Sequence, residues 1–127
     1  MSEPIVFISR FRIKKGKLDD FKRFFQAGAE SIKAEKPGTV AFLSYLNEDA
    51  TQAAIIHVFP DASSMDLHVE GAEERSKDAY EFVEPAGVEL YGAPSEAVLE
   101  MFRQMDGAGV PLLVQPELVG GYLRLNR

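Results

Sequence analysis

Apolar and polar positions along the chain predict two similar halves, each built as strand, helix and strand. Apolar residues alternate from Ile5, and after a polar turn they recur at the three- and four-residue spacing of a helix that starts at Leu18. The Lys36-Pro37-Gly38 turn ends this helix. A second helix starts at Asp61, breaks near Gly71 and resumes to residue 82. The predicted strands are residues 5–13, 40–46, 53–59 and 87–91.

This order, β-α-β followed by β-α-β, is typical of the ferredoxin-like split βαβ arrangement, an α+β fold. It predicts a four-stranded antiparallel sheet with its helices on one face. The first strand places Val6 and Ile8 on the face away from the helices, so that face is apolar as well. An apolar sheet face must be covered, and a second copy of the chain is the natural cover. The pattern therefore predicts a homodimer.

The residues after the fourth strand, 93–127, are predicted to extend a ferredoxin-like core of residues 4–92 within a single domain. Pro94 and Ser95 begin a third helix with an apolar stripe, and the run 106–109 ends it. Residues 112–114 and 119–125 are short strand candidates, with Gly120-Gly121 marking a bend or bulge. A short terminal strand paired with a sheet edge, within the chain or across a dimer, explains why this segment stays apolar.

Composition narrows the class of protein. The chain has 127 residues, 46% of them apolar, as expected of a globular protein with one core. It has no cysteine, which excludes disulfides, thiolate metal sites and cysteine nucleophiles. Its net charge of -6 argues against broad nucleic-acid binding. No apolar run approaches the ~20 residues of a membrane span, and the N-terminus lacks the pattern of a signal peptide. We therefore expect a cytoplasmic protein with neither a membrane nor a nucleic-acid partner.

Two histidines are the side chains best suited to proton transfer near neutral pH, because imidazole has an unperturbed pKa of about 6.5. His68 lies on an apolar helical stripe with Met65, and His57 shares one strand face with Ile55 and Phe59. An imidazole on a buried stripe is either a core histidine bonded to a backbone carbonyl or part of a site. The chain has no glycine-rich phosphate loop and no Gly-x-Ser-x-Gly motif that would point elsewhere.

Four passages follow one another in the order and spacing of a known family. They are the first strand running into Phe11-Arg12-Ile13-Lys14-Lys15-Gly16-Lys17, Lys36-Pro37-Gly38 followed by Phe42, the strand Ile55-Ile56-His57-Val58-Phe59 leading directly into a helix, and His68 seven residues after Asp61. Together they resemble the dimeric α/β-barrel superfamily, and within it the antibiotic-biosynthesis-monooxygenase-like domains, over about residues 4–92. Relatives commonly carry Glu where His57 stands, and some oxygenases of the family carry a pocket tryptophan, which this chain lacks.

The resemblance implies a homodimer whose two sheets pack face to face, with an apolar pocket between the sheet and the helices of each subunit. Several members of the family oxidise phenolic or quinol-like compounds with O2 and no bound cofactor, and some relatives bind and degrade haem. The resemblance therefore implies a cofactor-independent monooxygenase acting on a small aromatic or quinol-like substrate. The alternative is a non-catalytic dimer on the same fold that binds a small ligand or is associated with stress.

With this resemblance, His68 becomes the first candidate for catalytic base or substrate anchor, and His57 the second. Two imidazoles without a third ligand nearby do not predict a metal site, and we expect no cofactor, with haem ligation by His68 as the alternative. The residues predicted to line an apolar substrate pocket are Ser9, Phe11, Phe25, Phe59, Tyr45 and Tyr80. For the phenylalanines among them the alternative interpretation is core packing, in which the small residues Ser9 and Gly28 mark close contact between helix and sheet.

Overall fold

A computed structural model describes residues 3–125 of the chain, which form five strands and four helices. The strands are β1 (Ile5–Ile13), β2 (Ala41–Leu46), β3 (Gln52–Phe59), β4 (Val83–Tyr91) and β5 (Leu112–Gln115). The helices are α1 (Leu18–Glu35), α2 (Ala62–Val69), α3 (Ala72–Ala79) and α4 (Glu96–Gly107). None of these four helices combines the length and the apolar character that crossing a bilayer requires.

The five strands form one sheet in the order β2-β3-β1-β4-β5. The first four are antiparallel, which confirms the predicted ferredoxin-like α+β fold. β5 joins the edge of the sheet parallel to β4, so the terminal strand pairs within its own chain. The prediction of a strand at residues 119–125 is wrong, because residues 116–125 form neither helix nor strand. Pro116 has no N–H to offer a ladder, and Gly121 has a φ of +114°, which interrupts an extended chain.

β4 is longer than the pattern predicted, since it begins at Val83 rather than near residue 87. Its early part pairs with the end of β1, where Val83 lies opposite Ile13. Pro85 is accommodated because the register of the pair shifts between Arg10 and Phe11. A bulge tolerates a residue that has no N–H, whereas an unbroken central ladder does not.

The second helical region starts and breaks where the sequence predicted. Asp61 caps α2, and its carboxylate accepts a hydrogen bond from the Ser64 N–H at 2.8 Å. Gly71, with a φ of +80°, separates α2 from α3. α3 ends at Ala79, so it is shorter than predicted. The N–H of Phe82 instead donates to the carbonyl of Ala79 at 2.9 Å, in a turn that leads into β4.

Two apolar clusters fill the space between the sheet and the helices. The α1 cluster is centred on Phe21, Ala53 and Val83, and Phe11 and Phe25 pack against it. The second group, the α4 cluster, is centred on the buried residues Ile5, Phe7, Phe59, Met65, Val88, Leu90, Val98 and Phe102. Because Val98 and Phe102 belong to α4, the C-terminal extension is part of the core.

The opposite face of the sheet, here called the outer face, is also apolar. Val6 and Ile8 of β1 lie on it, next to Ile56 of β3. Leu43 and Leu113, at the two ends of this face, are each 46% exposed in the single chain. The predicted apolar character of the second sheet face is therefore confirmed.

Candidate functional site

His57 and His68 meet between the sheet and the helices, although they lie on different elements. β3 carries His57 on its helix-facing side, and the turn after β3 leads directly into α2, which carries His68. The two ring centroids are 5.2 Å apart, with the ring planes at 84° to each other. His57 is only 6% exposed and His68 only 4%.

Phenylalanine rings surround the two imidazoles. Phe7 of β1 stacks on His57, with ring centroids 3.6 Å apart. Phe42 of β2 lies 5.1 Å from His57 and 5.8 Å from His68. Phe59 lies 5.1 Å from His68. We call these two imidazoles and three phenylalanine rings the histidine site. Its surroundings are apolar, so polar groups inside it gain little from solvation.

The hydrogen bond of His57 defines which of its nitrogens carries the proton. Nδ1 of His57 lies 3.2 Å from the backbone carbonyl oxygen of Phe7. A carbonyl oxygen can only accept a hydrogen bond, so Nδ1 must be the donor. In the neutral ring, Nε2 is then left with a lone pair and is an acceptor.

The hydrogen bond of His68 leaves two arrangements of the proton available. Its Nδ1 lies 2.8 Å from the hydroxyl oxygen of Thr39, in the turn before β2. A hydroxyl group can donate or accept, so Nε2 of His68 is an acceptor when Nδ1 donates and a donor when Nδ1 accepts. Thr39 thus contacts the one imidazole that α2 carries.

The two Nε2 atoms are the free ends of the imidazole pair. Each ring makes its hydrogen bond through Nδ1. The Nε2 atoms are therefore the ring nitrogens that remain to bind a ligand or a water molecule.

Two cations lie at the C-terminal end of α2, next to His68. Lys36 donates from Nζ to the carbonyl oxygen of Leu67 at 2.6 Å. Arg75 donates to the carbonyl oxygens of His68 and Glu70, the latter at 3.0 Å. Positive side chains at this end satisfy the unpaired carbonyls and complement the helix dipole. They also raise the positive potential around the imidazole of His68.

Both imidazoles are therefore neutral at pH 7. Burial, together with the nearby charges of Arg75 and Lys36, lowers the pKa of His68 to about 4. Burial, and to a lesser extent the proximity of His68, lowers the pKa of His57 well below its usual value. A charged imidazole would lose its hydration in this apolar site, which is the main reason for both shifts.

Two of the predicted pocket residues lie at the histidine site or next to it, and a third shares its sheet face. Phe59 is part of the site. Phe25 of α1 stacks on Phe42 at 4.9 Å and so forms a second layer behind it. Ser9 lies on the same sheet face as His57, but its neighbours across the sheet are Ile55 and Val88.

The other three predicted pocket residues are not brought to the histidines. Phe11 packs against the α1 cluster. Tyr45 lies on the outer face, opposite Ala54, and is 61% exposed. Tyr80 is an exposed residue at the end of α3, where its carbonyl accepts a hydrogen bond from Lys14 Nζ. The Tyr45 side chain is therefore on the other side of the sheet from the imidazoles.

Sequence reasoning missed three contacts of the site. Phe42 could have been placed, because in a ferredoxin-like sheet β2 lies beside β3 and Phe42 is in register with His57. Phe102, whose ring is 5.4 Å from that of Phe7, could not, since its position depends on how α4 docks. The sequence pattern contains no signal for Thr39, because a hydroxyl residue after a turn is common.

Residues 3–125 contain no group of three or more His, Cys, Asp or Glu side chains that could hold a metal ion. An open depression of about 280 Å³ lies on the outer face, between the β1 bulge and β5. Arg10, Gly87, Glu89 and Leu113 are among its lining residues, and none of those residues is a histidine. It is thus separate from the histidine site.

No family model and no curated protein sequence matches the chain. Solved structures do. MupZ from Pseudomonas fluorescens has a TM-score of 0.71 at 19% identity, over 94% of this chain and 95% of its own. SnoaB, a cofactor-independent oxygenase from Streptomyces nogalater, has a TM-score of 0.60 at 18% identity, over 74% of this chain and 96% of its own. A Caulobacter crescentus protein described as a candidate antibiotic biosynthesis monooxygenase has a TM-score of 0.63 at 13% identity, over 74% and 92%.

The chain therefore has the fold of the antibiotic-biosynthesis-monooxygenase-like proteins, as its sequence pattern predicted. The likeness to MupZ reaches further than the likeness to SnoaB. A match over 94% of the chain must include most of the segment after β4, whereas one over 74% need not. Most of the extension thus lies within the part of the chain that aligns with MupZ.

Proposed function

We propose that the protein is a homodimeric, cofactor-independent monooxygenase of a small aromatic or quinol-like substrate, with His68 as the proton acceptor. The observation that carries the proposal is a pair of neutral imidazoles, each with Nε2 free of hydrogen bonds, enclosed by phenylalanine rings. Neutral imidazole can accept a proton, and apolar walls favour a planar aromatic ligand over a hydrated one. The fold it shares with SnoaB, an oxygenase without a cofactor, supports the same reaction class.

The reaction balances without a further reductant. A phenol binds through its hydroxyl group to Nε2 of His68 and gives up the proton to it as it gives one electron to O2, because the loss of the electron makes the hydroxyl strongly acidic. Recombination of the two radicals forms a carbon–oxygen bond at a ring position that carries hydrogen. Loss of water then leaves a quinone, so one oxygen atom enters the product, the other leaves as water, and the substrate supplies all four electrons. Nε2 of His57, fixed as an acceptor, binds a second hydroxyl of the substrate.

The activity is tested by O2 uptake with a panel of phenols and hydroquinones. We expect His68→Ala to lower kcat by about 10² to 10⁴, the usual contribution of a positioned general base. Leu67→Ala is the matched control, since Leu67 precedes His68 on α2 and is exposed. Equal rates for wild type and His68→Ala, or no O2 uptake with any substrate of the panel, would contradict the proposal.

The homodimer is supported by the outer face, whose apolar side chains need a cover. Light scattering at micromolar concentration should give twice the mass of the chain. Leu43→Glu, on the outer face, should produce a monomer, whereas Leu67→Glu, an exposed leucine on α2, should leave the dimer intact. A monomeric wild type would rule out face-to-face packing.

A second candidate, a non-catalytic protein that binds a small ligand, is favoured by the close packing of the histidine site. Phe7 lies flat on His57, and His68 is bonded to Thr39, as in a filled core. Calorimetric titration with a non-oxidisable phenol separates the two functions. Binding that is lost in His68→Ala, with no O2 uptake by any form, would favour this candidate over the oxygenase.

A further inference from the structure

We propose that Thr39 is a positioning residue that keeps the proton of His68 on Nδ1 and so leaves Nε2 as the acceptor that faces a ligand. The contact between the two side chains is independent of the proposed function, whereas the choice of Nδ1 as the donor and its consequence for catalysis rest on it. Thr39 Oγ1 and His68 Nδ1 lie 2.8 Å apart. When one nitrogen of a neutral imidazole donates a hydrogen bond, the other nitrogen has no proton and can only accept one.

The backbone on both sides of Thr39 is fixed. The N–H of Thr39 donates to the carbonyl of Lys36 at 2.9 Å, which closes the turn after α1. The N–H of Val40 donates to the carbonyl of Val58 at 2.9 Å, which ties the next residue to β3. The main chain at Thr39 is therefore fixed, and a single side-chain torsion separates it from the hydroxyl that contacts His68.

The turn of residues 36–39 is also held against α2. Lys36 donates to the carbonyl of Leu67, and Gly38 lies directly on the first turn of α2. A methyl group on Gly38 would come within 2.7 Å of the Ser64 Cβ, so only glycine allows this approach. Three successive contacts, made by Lys36, Gly38 and Thr39, thus set the distance between the turn and the helix that carries His68.

The state competent for proton abstraction is the one in which Nδ1 of His68 donates to Thr39. In that state Nε2 has a lone pair and can accept a proton from a phenol. Valine at position 39 has nearly the same shape but no oxygen, so the buried Nδ1–H would lose its acceptor. The ring would then gain by turning or by changing its tautomer to leave Nδ1 bare. Serine keeps the oxygen and should preserve the wild-type arrangement.

Nitrogen-15 NMR of the imidazole rings tests the arrangement directly in the full chain. Wild type and Thr39→Ser should both show His68 as one tautomer, with the proton on Nδ1. Thr39→Val should show an averaged or inverted pattern for His68. His57, whose Nδ1 is bonded to the Phe7 carbonyl, should keep its pattern in all forms. Thr51→Val, in the β2–β3 turn where the hydroxyl bonds to Asp49, is the matched control and should change neither histidine.

The activity measurement adds a second readout. Thr39→Val should lower kcat about tenfold with little change in KM, as the loss of one neutral hydrogen bond predicts, and Thr39→Ser should restore it. An unchanged nitrogen-15 pattern in Thr39→Val, or a pattern that serine does not restore, would overturn the positioning role. If the patterns change as expected and no form consumes O2, the positioning role stands and the oxygenase function fails.

Discussion

The two clusters beneath the sheet are built alike but differ in what they bury. In the α1 cluster the aromatic contacts are hydrocarbon on hydrocarbon, as between Phe21 and Phe25 or Phe24 and Phe82. In the α4 cluster, Phe7 and Phe59 pack against two imidazoles instead. The α1 cluster shows that this fold can fill the space under its sheet without polar groups. Packing therefore does not require the histidines, and their burial has a cost in hydration that the α1 cluster does not have.

The comparison first predicts that the two clusters contribute equally to stability. Phe59 is fully buried and Phe21 is 4% exposed, so Phe59→Ala and Phe21→Ala should each lower the free energy of unfolding by about 3–5 kcal/mol. Urea denaturation followed by circular dichroism measures both. Only Phe59→Ala should shift the imidazole resonances of His68, whose ring lies 5.1 Å away. A much smaller loss for Phe59→Ala would mean that the α4 cluster is loosely packed.

The histidines should make only the α4 cluster sensitive to acid. His68 has a pKa of about 4 in the folded protein and 6.5 in the unfolded chain, so between these values the unfolded chain binds more protons. The stability that is present above pH 6.5 is lost as the pH falls to 4. The shift corresponds to about 3 kcal/mol, at about 1.4 kcal/mol per pKa unit. Burial moves the pKa of His57 in the same direction, so His57 adds to the loss.

Urea denaturation at pH 7 and pH 4 measures this loss in wild type and in His68→Gln. Carboxylates titrate in both proteins, so the difference between the two isolates the imidazole. Glutamine cannot gain a charge, and we expect the variant to lose clearly less stability than wild type on acidification. The same loss in both proteins would show that folding does not lower the pKa of His68.

The α1 half could be predicted from the sequence better than the site could. The helical spacing of Phe21, Phe25 and Ile32 is enough to predict the buried face of α1, because a regular apolar stripe marks the side of a helix that packs on the core. To predict that His57 lies near His68 required the order of the strands in the sheet, and the repeated β-α-β pattern supplied that order. The contacts of Thr39 and Phe102 required the docking of a turn and of α4, which depends on long-range packing and leaves no periodic signal. Tyr45 was misplaced because an alternating strand with apolar residues on both faces gives no indication of which face lies inward.

One glycine in each region tests the comparison with smaller expected effects. The first is Gly38, beside the histidine site. A Cβ there would come within 2.6 Å of the Ser64 Oγ, so Gly38→Ala should lower the free energy of unfolding by about 1–3 kcal/mol. Ser64→Gly removes the atoms that clash. In that background Gly38→Ala should cost little, and the double-mutant cycle measures the coupling. Additive losses would show that the turn and α2 are not in close contact.

Gly28, in the middle of α1, should behave in the opposite way. The sequence suggested that it allows close contact between helix and sheet, but a Cβ at this position would meet nothing within 4 Å. Alanine then adds no clash, and it removes the conformational freedom that glycine has in the unfolded chain. We expect Gly28→Ala to raise the free energy of unfolding by about 0.5–1 kcal/mol, measured by urea denaturation at pH 7. Destabilisation instead would mean that α1 packs so closely on its neighbours that position 28 requires glycine. The close approach would then lie in the cluster that has no histidine.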